Sequence, residues 1–182
     1  MAELTDEKIM YQVKEGQLPE LTQLFNRYNM PVYNFFLKLT MDAATSEDLV
    51  QTLFYRILRY RHSFNAATGS FKSWMYQMAR NLHADHCREK LRLAAVIRST
   101  QDYPEDVAEK QEGFIEQDFE KLKKALAGLG PVDRELIVLS RYEGLKYAEI
   151  AKMKGMSLSA VKVQAHRALK ELRILYFKQT GG

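Results

Sequence analysis

The sequence has only one cysteine, Cys87, among its 182 residues. One thiol cannot form a disulfide within the chain, so the fold cannot depend on a disulfide framework. The scarcity of cysteine fits a protein of a reducing compartment. Acidic residues near the start, Glu3, Asp6 and Glu7, do not suit a secretory signal peptide. Together these features predict a cytoplasmic protein.

Long apolar runs and common catalytic motifs are also missing. No run approaches the roughly 18 apolar residues of a membrane-spanning helix, so we expect no membrane insertion. The chain has no glycine-rich phosphate-binding loop and no carboxylate pair in a context typical of hydrolysis. We therefore expect no catalytic residue, no cofactor and no small-molecule substrate.

Strand-like alternation of apolar and polar residues is likewise absent, whereas apolar residues recur at helical spacing along most of the chain. The pattern predicts an all-α fold of two small helical domains, the second of which contains a helix-turn-helix. The first domain covers residues 1–92 and the second covers residues 117–178. Residues 93–116 have little periodicity and predict a flexible acidic linker.

Local signals predict where several helices begin. Thr5 or Asp6, Ser46 and Ser70 each precede a periodic segment and can accept a hydrogen bond from a free backbone N–H group. Pro31 lies within a periodic segment, where it predicts a kink or a new helix start.

The net charge is +4, but the charged residues are distributed unevenly along the sequence. Residues 102–120 contain eight acidic residues and one lysine. Residues 141–182 contain nine basic and three acidic residues, and residues 80–98 contain five basic and two acidic residues. Basic blocks of this kind are typical of nucleic-acid-binding surfaces, although either block alone could be an ordinary solvated helix face.

The segment "YAEIAKMKGMSLSAVKVQAHRALKELR", residues 147–173, has the pattern of a helix-turn-helix. Gly155 can adopt the left-handed turn conformation, and Ser157 can cap the second helix. One face of that helix is apolar, and we expect it to be buried: Leu158, Val161, Ala165, Leu169 and Leu172. The opposite face would enter the major groove of DNA and carries Ser159, Lys162, Val163, His166, Arg167 and Lys170. A plain helical hairpin with a solvated face is the alternative.

Three potential metal ligands, His83, His86 and Cys87, are spaced so that they lie near one helix face. They could bind Zn²⁺ if a fourth ligand came from elsewhere. Because no second ligand pair is visible, we expect no metal site and interpret them as packing or DNA-proximal side chains. A metal-dependent helical protein stays open as an alternative.

Two segments carry a resemblance to a known family. "GPVDRELIVLSRYEGLKYAEIAKMKGMSLSAVKVQAHRALKELR" resembles the promoter-binding C-terminal domain of extracytoplasmic-function sigma factors. "YNMPVYNFFLKLTMDAATSEDLVQTLFYRILRYRHSFNAATGSFKSWMYQMARNLHADHCR" is similar to their N-terminal domain. The resemblance implies an initiation subunit of bacterial RNA polymerase, a DNA-binding protein that selects promoters through their −35 and −10 elements.

The resemblance also implies a role for "EDLVQTLFYRIL", which matches the helix that docks on the clamp coiled coil of the polymerase β′ subunit. The implied polymerase-binding residues are Asp48, Gln51, Thr52, Phe54, Tyr55 and Arg56. Thr52 stands where the family commonly has a carboxylate.

The loop "SFNAATGSF" matches the family's loop that captures a base from the melted −10 element. The implied −10 contacts are Phe64, Asn65, Arg80, Asn81 and Arg88. The implied −35 contacts are Ser159, Lys162, Val163, His166, Arg167 and Lys170. Val163, His166 and the neighbouring Gln164 depart from the family's usual pattern, which leaves the recognised sequence open.

The partners implied by the resemblance are core RNA polymerase, through its β′ clamp coiled coil and β flap, and promoter DNA. An anti-sigma factor is implied as well, and a membrane-bound one would hold the protein at the inner membrane face. A stand-alone helix-turn-helix regulator is the alternative, but such a protein would not need the docking helix.

Overall fold

The computed structural model describes residues 4–98 and 116–178, and within these ranges every regular element is a helix. The first domain contains α1 (Asp6–Lys14), α2 (Leu21–Thr40), α3 (Ala43–Arg59) and α4 (Phe71–Arg98). The second contains α5 (Glu116–Gly128), α6 (Pro131–Ile137), α7 (Tyr147–Lys154) and α8 (Leu158–Lys178). The predicted all-α fold with two helical domains is confirmed.

The predicted linker, residues 93–116, lies mostly outside the described residues. Its first part belongs to α4, because that helix continues to Arg98. Helix α5 then begins at Glu116, at the other end of the linker range. The acidic run therefore lies largely outside the described residues.

Two of the predicted helix caps are confirmed, and one is wrong. Thr5 caps α1 by accepting a hydrogen bond from the backbone N–H of Lys8, and Ser70 caps α4 by accepting one from Ser73 at 3.1 Å. Helix α3 begins four residues before the position expected from Ser46, because Asp42 caps it with a 2.6 Å bond from the Thr45 N–H.

Ser46 is instead fully buried one turn into α3, where its hydroxyl donates to the Asp42 carbonyl oxygen at 2.6 Å. Both Asp42 and Ser46 fit the sequence pattern of an N-cap. Asp42 takes the role because its backbone is extended, as an N-cap requires, while the backbone at Ser46 is already helical.

Pro31 lies inside α2, which is continuous, so the predicted new helix start is wrong. A proline within a helix removes one backbone hydrogen bond and costs about 3 kcal/mol. The buried stripe on both sides of it, which includes Leu24, Phe35 and Leu39, offsets that cost by packing against the other helices of the domain.

One hydrophobic core extends through both domains. Phe35, Phe36 and Tyr76 of the first domain belong to the same buried cluster as Leu136 and Leu139 of the second. A smaller cluster joins α5, α6 and α8 through Leu126, Leu129, Ile137 and Ala168. The two domains are therefore packed directly on each other.

The turn between α7 and α8 depends on Gly155, which has a φ angle of 63°. A Cβ atom at this position would meet no neighbouring atom within 4 Å, so a substitution would strain only the backbone. We expect Gly155→Ala to lower the free energy of unfolding by about 1 kcal/mol, as measured by urea denaturation.

Gly130 provides the matched control, since it also has free space around it but adopts a φ angle of −56°. Gly130→Ala should change stability by no more than about 0.5 kcal/mol, because the gain from a less flexible unfolded chain is offset by the loss of a favourable residue at the N-cap of α6. Equal losses in the two variants would show that the left-handed turn is not what requires glycine.

Candidate polymerase- and DNA-binding surfaces

Helix α8 buries a narrower face than the sequence predicts. Val161, Ala165 and Ala168 are buried, and Leu169 and Leu172 are half-buried against the smaller core cluster. The prediction that Leu158 is buried is wrong, because its side chain is 42% exposed. Leu158 occupies the first turn, before the helix reaches its packing partners, and the small Ala168 allows the close contact further along.

The six predicted −35 contacts share the exposed face of α8, as the helical spacing requires. The members of this face are Ser159, Lys162, Val163, His166, Arg167 and Lys170. Gln164 is not part of it, because its side-chain amide donates to the Asp133 carboxylate of α6 at 2.8 Å. Ser157 caps the helix with a 3.2 Å bond from the Ala160 N–H, as predicted.

Helix α3 has two chemically distinct faces. Asp48, Gln51 and Tyr55 are exposed along one side, with Tyr55 60% exposed, and Thr52 and Arg56 are half-buried beside them. These residues define a candidate docking face. Arg56 is fixed by Asp85 of α4, at 3.2 Å between guanidinium and carboxylate.

Phe54 lies on the other side of α3. Its side chain is only 7% exposed, and its ring packs edge-on against Phe25 at 4.8 Å between centroids. A direct contact between Phe54 and polymerase stays a prediction. The observed packing gives it a structural role, which is to hold α3 against α2.

The loop before α4 is anchored by an aromatic side chain. Phe64 is 3% exposed, with its ring 5.5 Å from Trp74 and 6.1 Å from Phe71 between centroids. Its carbonyl oxygen accepts a 2.8 Å hydrogen bond from the Lys14 ammonium group. Asn65 is exposed beside it, and its side-chain oxygen accepts from the Ala67 N–H at 3.0 Å. The arrangement presents Asn65 and buries Phe64, so stacking of a base on Phe64 stays a prediction.

The other predicted −10 contacts lie on α4. Asn81 and Arg88 are exposed, and Arg88 pairs with Asp85 at 2.5 Å on the same helix. Arg80 is half-buried and points to the second domain, where its Nε atom lies 2.8 Å from a carboxylate oxygen of Glu135 on α6. The structure thus places Arg80 in the contact between the domains, whereas Asn81 and Arg88 are exposed to solvent.

A buried polar contact between the domains has no counterpart in the sequence analysis. The Tyr76 hydroxyl of α4 donates to the carboxylate of Glu143, and both side chains are buried. Burial raises the pKa of Glu143, while the Tyr76 hydrogen bond and the charges of Lys38 and Lys72 oppose that rise. Burial and the neighbouring Glu143 raise the pKa of Tyr76, so its hydroxyl stays protonated and can donate.

The histidine and cysteine residues of α4 form no ligand set. His83 Nε2 lies 3.5 Å from Cys87 Sγ, and burial lowers the pKa of His83. Across residues 4–98 and 116–178, no three histidine, cysteine or acidic side chains are grouped so that they could hold a metal ion. The zinc alternative therefore has no ligand set in the part of the chain that the structure describes.

The fold and these surfaces define a class of protein. A helix-turn-helix with a cationic outer face is joined to a helical domain that carries a candidate docking face on α3 and exposed asparagine and arginine side chains on α4. A helix-turn-helix of this kind is typical of DNA-binding proteins.

Comparison with protein families agrees with this class. The model described as "Sigma-70 region 2" matches residues 24–93, and the model described as "Sigma-70, region 4" matches residues 119–172. The two models describe two regions of one protein family and match in the expected order. Together the matched residues span most of the sequence. The chain belongs to the sigma-70 family of transcription initiation factors.

Several characterised members are similar along nearly the whole chain. The sequence is 29% identical over 170 residues to the RNA polymerase sigma factor CarQ of Myxococcus xanthus, covering 91% of this chain and 94% of CarQ. It is 29% identical over 156 residues to the ECF RNA polymerase sigma factor SigX of Bacillus subtilis, covering 82% of this chain and 80% of SigX.

A solved structure has the same fold. The sigma factor RpoE of Bartonella quintana, in complex with the anti-sigma factor NepR, matches with a TM-score of 0.71 at 24% identity. The match covers 86% of this chain and 96% of that one.

The family assignment confirms the function predicted from the sequence. The chain is an ECF-type sigma factor, which acts with core RNA polymerase in promoter-specific transcription initiation. None of the helices in the described ranges combines the length and the apolarity that crossing a bilayer requires.

Proposed function

We propose that this sigma factor divides promoter recognition among three surfaces of its two domains. Residues 1–92 act as region 2, residues 117–178 as region 4, and residues 93–116 as the linker between them. The exposed face of α8 binds the −35 element, the docking face of α3 binds core polymerase, and the loop before α4 together with α4 holds the −10 element. The observation that carries the proposal is the clustering of all six −35 candidates on one side of α8.

The chemistry of α8 suits the major groove. Its exposed face combines small and long polar side chains, so that Ser159 permits close approach while Lys162 and Arg167 can reach phosphates and base edges. Val163 is the apolar member of this face, and its side chain is 52% exposed. A thymine methyl group is the contact that would bury it.

Docking on polymerase is assigned to α3 and to a groove in the second domain. The docking face of α3 has an exposed aromatic ring, Tyr55, among polar side chains, which is a composition typical of protein interfaces. An apolar groove of about 580 Å³ lies between α5 and α8 and includes Phe119, Leu172 and Phe177. We assign this groove to the β flap, because an amphipathic helix would fill it.

We assign the opening of the DNA strands to the loop before α4 and to α4 itself. The phosphoryl-transfer chemistry of transcription belongs to polymerase. Separated bases expose their hydrogen-bonding edges, which the side-chain amides of Asn65 and Asn81 can bind. Each base-pair step that is opened costs about 1–2 kcal/mol in stacking. The protein contributes binding energy against that cost and no covalent step of its own.

Replacement of Asn81 tests the −10 assignment. We expect Asn81→Ala to slow open-complex formation on a duplex promoter roughly tenfold, because one of the amides that hold the melted bases is lost. A promoter with a pre-melted −10 element should restore most of the rate. Gln77→Ala removes an exposed amide from the preceding turn of α4 and should leave both rates unchanged.

Equal defects of Asn81→Ala on duplex and pre-melted templates would contradict a role in strand opening. Co-purification with core polymerase separates the proposal from the alternative of a stand-alone regulator. A sigma factor should compete with other sigma factors for the core enzyme, and a regulator should not.

We also assign an anti-sigma factor as the regulator of this protein and the cytoplasm as its location. The support is the resemblance to extracytoplasmic-function sigma factors and the partner of the Bartonella quintana protein named above. Such a regulator would cover the docking face of α3 or the exposed face of α8 and so compete with polymerase or DNA.

A further inference from the structure

Helix α1 belongs to none of the three proposed binding surfaces, yet it contacts the loop before α4 at both ends. At the beginning of the loop, the Lys14 ammonium group donates a hydrogen bond to the Phe64 carbonyl oxygen at 2.8 Å. Where the loop enters α4, the Glu7 carboxylate accepts a hydrogen bond from the Phe71 N–H at 3.0 Å. One helix therefore holds the entry and the exit of the loop.

The spacing of Glu7 and Lys14 places both side chains on one side of α1. Residues seven positions apart are two helical turns apart on the same face, about 10 Å along the axis. Both side chains are half-buried, and hydrogen bonds to charged groups are stronger than those between neutral groups. Two such bonds from a single helix fix the distance between the two ends of the loop.

Helix α1 is itself held in place without the loop. Three of its side chains are fully buried in the main core cluster: Ile9, Met10 and Val13. Asp6 pairs with the Arg27 guanidinium of α2 at 2.6 Å and accepts a hydrogen bond from the Tyr28 hydroxyl. The helix can therefore serve as a rigid support for the loop.

The middle of the loop depends on its ends for its orientation. Residues 65–69 are all exposed. They form a small turn, in which the Asn65 carbonyl oxygen accepts hydrogen bonds from the Thr68 N–H at 3.0 Å and from the Thr68 hydroxyl at 2.8 Å. An open cleft of about 440 Å³ lies between α1 and the loop and includes Tyr11 and Ala66. Because the turn is bonded internally but exposed, its orientation follows that of the two ends.

We propose that Glu7 and Lys14 are positioning residues for strand opening, which hold the loop before α4 in the orientation that receives a base of the −10 element. We call this pair the loop brace. A loop that is already ordered loses less conformational entropy when it binds a base. Without the brace, that cost is added to the cost of opening the strands. The inference rests on the proposed role of this loop in −10 binding.

The opposite charges of the brace residues distinguish positioning from a direct effect of charge on DNA. Through charge alone, Lys14→Met would slow open-complex formation and Glu7→Ala would speed it, because DNA phosphates attract an ammonium group and repel a carboxylate. The brace predicts that both variants slow it. We expect each to lower the rate on a duplex promoter about fivefold to tenfold, since each removes a hydrogen bond of a charged group.

Conservative variants should restore the rate. Lys14→Arg keeps a cationic donor and Glu7→Gln keeps an acceptor oxygen, so both should stay within about twofold of the unaltered protein. Lys8→Met is the matched control, because it removes the same charge from an exposed position of α1, and it should also stay within about twofold. A promoter with a pre-melted −10 element should restore most of the rate of Lys14→Met and Glu7→Ala. Their affinity for core polymerase should be unchanged, because the docking face lies on α3.

The placement of the loop can be measured in the full chain without DNA, because the sequence has a single tryptophan. Trp74 is half-buried, and its ring lies 5.5 Å from that of Phe64 between centroids. Quenching of its fluorescence by acrylamide therefore reports how well Phe64 covers it. We expect Lys14→Met to raise the quenching constant about twofold, because the released loop end opens locally. Lys14→Arg and Lys8→Met should leave the constant unchanged.

Unchanged quenching in Lys14→Met would overturn the brace. A faster rate for Glu7→Ala, or equal losses of rate in Lys8→Met and Lys14→Met, would overturn it as well. Asn65→Ala separates this inference from the proposed function, because it alters an exposed side chain of the loop directly. If Asn65→Ala slows open-complex formation and the brace variants do not, the brace fails while the −10 role of the loop stands. If the quenching changes but none of these variants alters the rate, the proposed −10 role of the loop is contradicted.

Discussion

Arg167→Ala is expected to weaken binding of the polymerase complex to its promoter by tenfold or more. Arg167 is exposed in the middle of the cationic face of α8, where it can reach a phosphate or a guanine edge. Loss of one such contact costs about 1–3 kcal/mol. The measurement is equilibrium binding to a promoter fragment on which the protein supports transcription, at fixed salt concentration because phosphate contacts depend strongly on salt.

The affinity of the Arg167→Ala variant for core polymerase should stay unchanged. Arg141→Ala provides the control, since it removes an exposed arginine from the same domain but outside α8, and should leave promoter binding nearly unaltered. If Arg167→Ala weakened polymerase binding and promoter binding together, the substitution would be acting through the fold of the domain and not through a DNA contact.

Tyr55→Ala is expected to lower the affinity for core polymerase by about 2 kcal/mol, roughly 30-fold. Its ring is 60% exposed at the centre of the docking face, and exposed tyrosines in such positions often dominate the energy of an interface. The variant should unfold at nearly the same urea concentration as the unaltered protein, because its ring contributes little to the core.

Phe54 is next to Tyr55 in the sequence but lies on the opposite side of α3, so replacing it provides a comparison with Tyr55→Ala. Phe54→Ala should lower the free energy of unfolding by about 3 kcal/mol, since it empties a buried site beside Phe25. Under conditions where this variant is still folded, its polymerase affinity should fall less than that of Tyr55→Ala. The reverse ranking of the two affinities would show that polymerase contacts a different side of α3.

The sequence is sufficient to predict features that depend on spacing along one helix. The exposed face of α8 and the turn at Gly155 follow from residue types at intervals of three and four and from one glycine before a capping serine. The resemblance adds the identity of α3 as a docking helix. The structure then divides α3 into its exposed and buried faces, and it places Phe54 on the buried one.

Features that depend on competing local choices are harder to predict. Asp42 and Ser46 are equally suitable caps as residue types, and only the path of the chain between α2 and α3 decides between them. Leu158 fits the apolar stripe of α8 by its spacing, but the packing partners begin one turn later. The spacing of apolar residues in the sequence does not show where a neighbouring helix will lie.

Contacts between distant segments are outside the reach of single-sequence reasoning. In the sequence, Glu143 is an ordinary acidic residue before a glycine. Only the fold brings its carboxylate, which follows the π-helical turn Val138–Tyr142, into contact with Tyr76, 67 positions earlier. A glutamate between two apolar segments is at most a weak signal in the sequence. The pairing of Arg80 with Glu135 is unpredictable for the same reason, since charged residues are common in both helices.

Run-off transcription with core RNA polymerase over genomic fragments of the source bacterium tests the central claim most directly. Core enzyme supplied with this protein should produce discrete transcripts that the core enzyme alone does not produce, and Tyr55→Ala should abolish most of them. An identical set of transcripts with and without the protein, in a preparation shown to be free of bound inhibitor, would contradict the account.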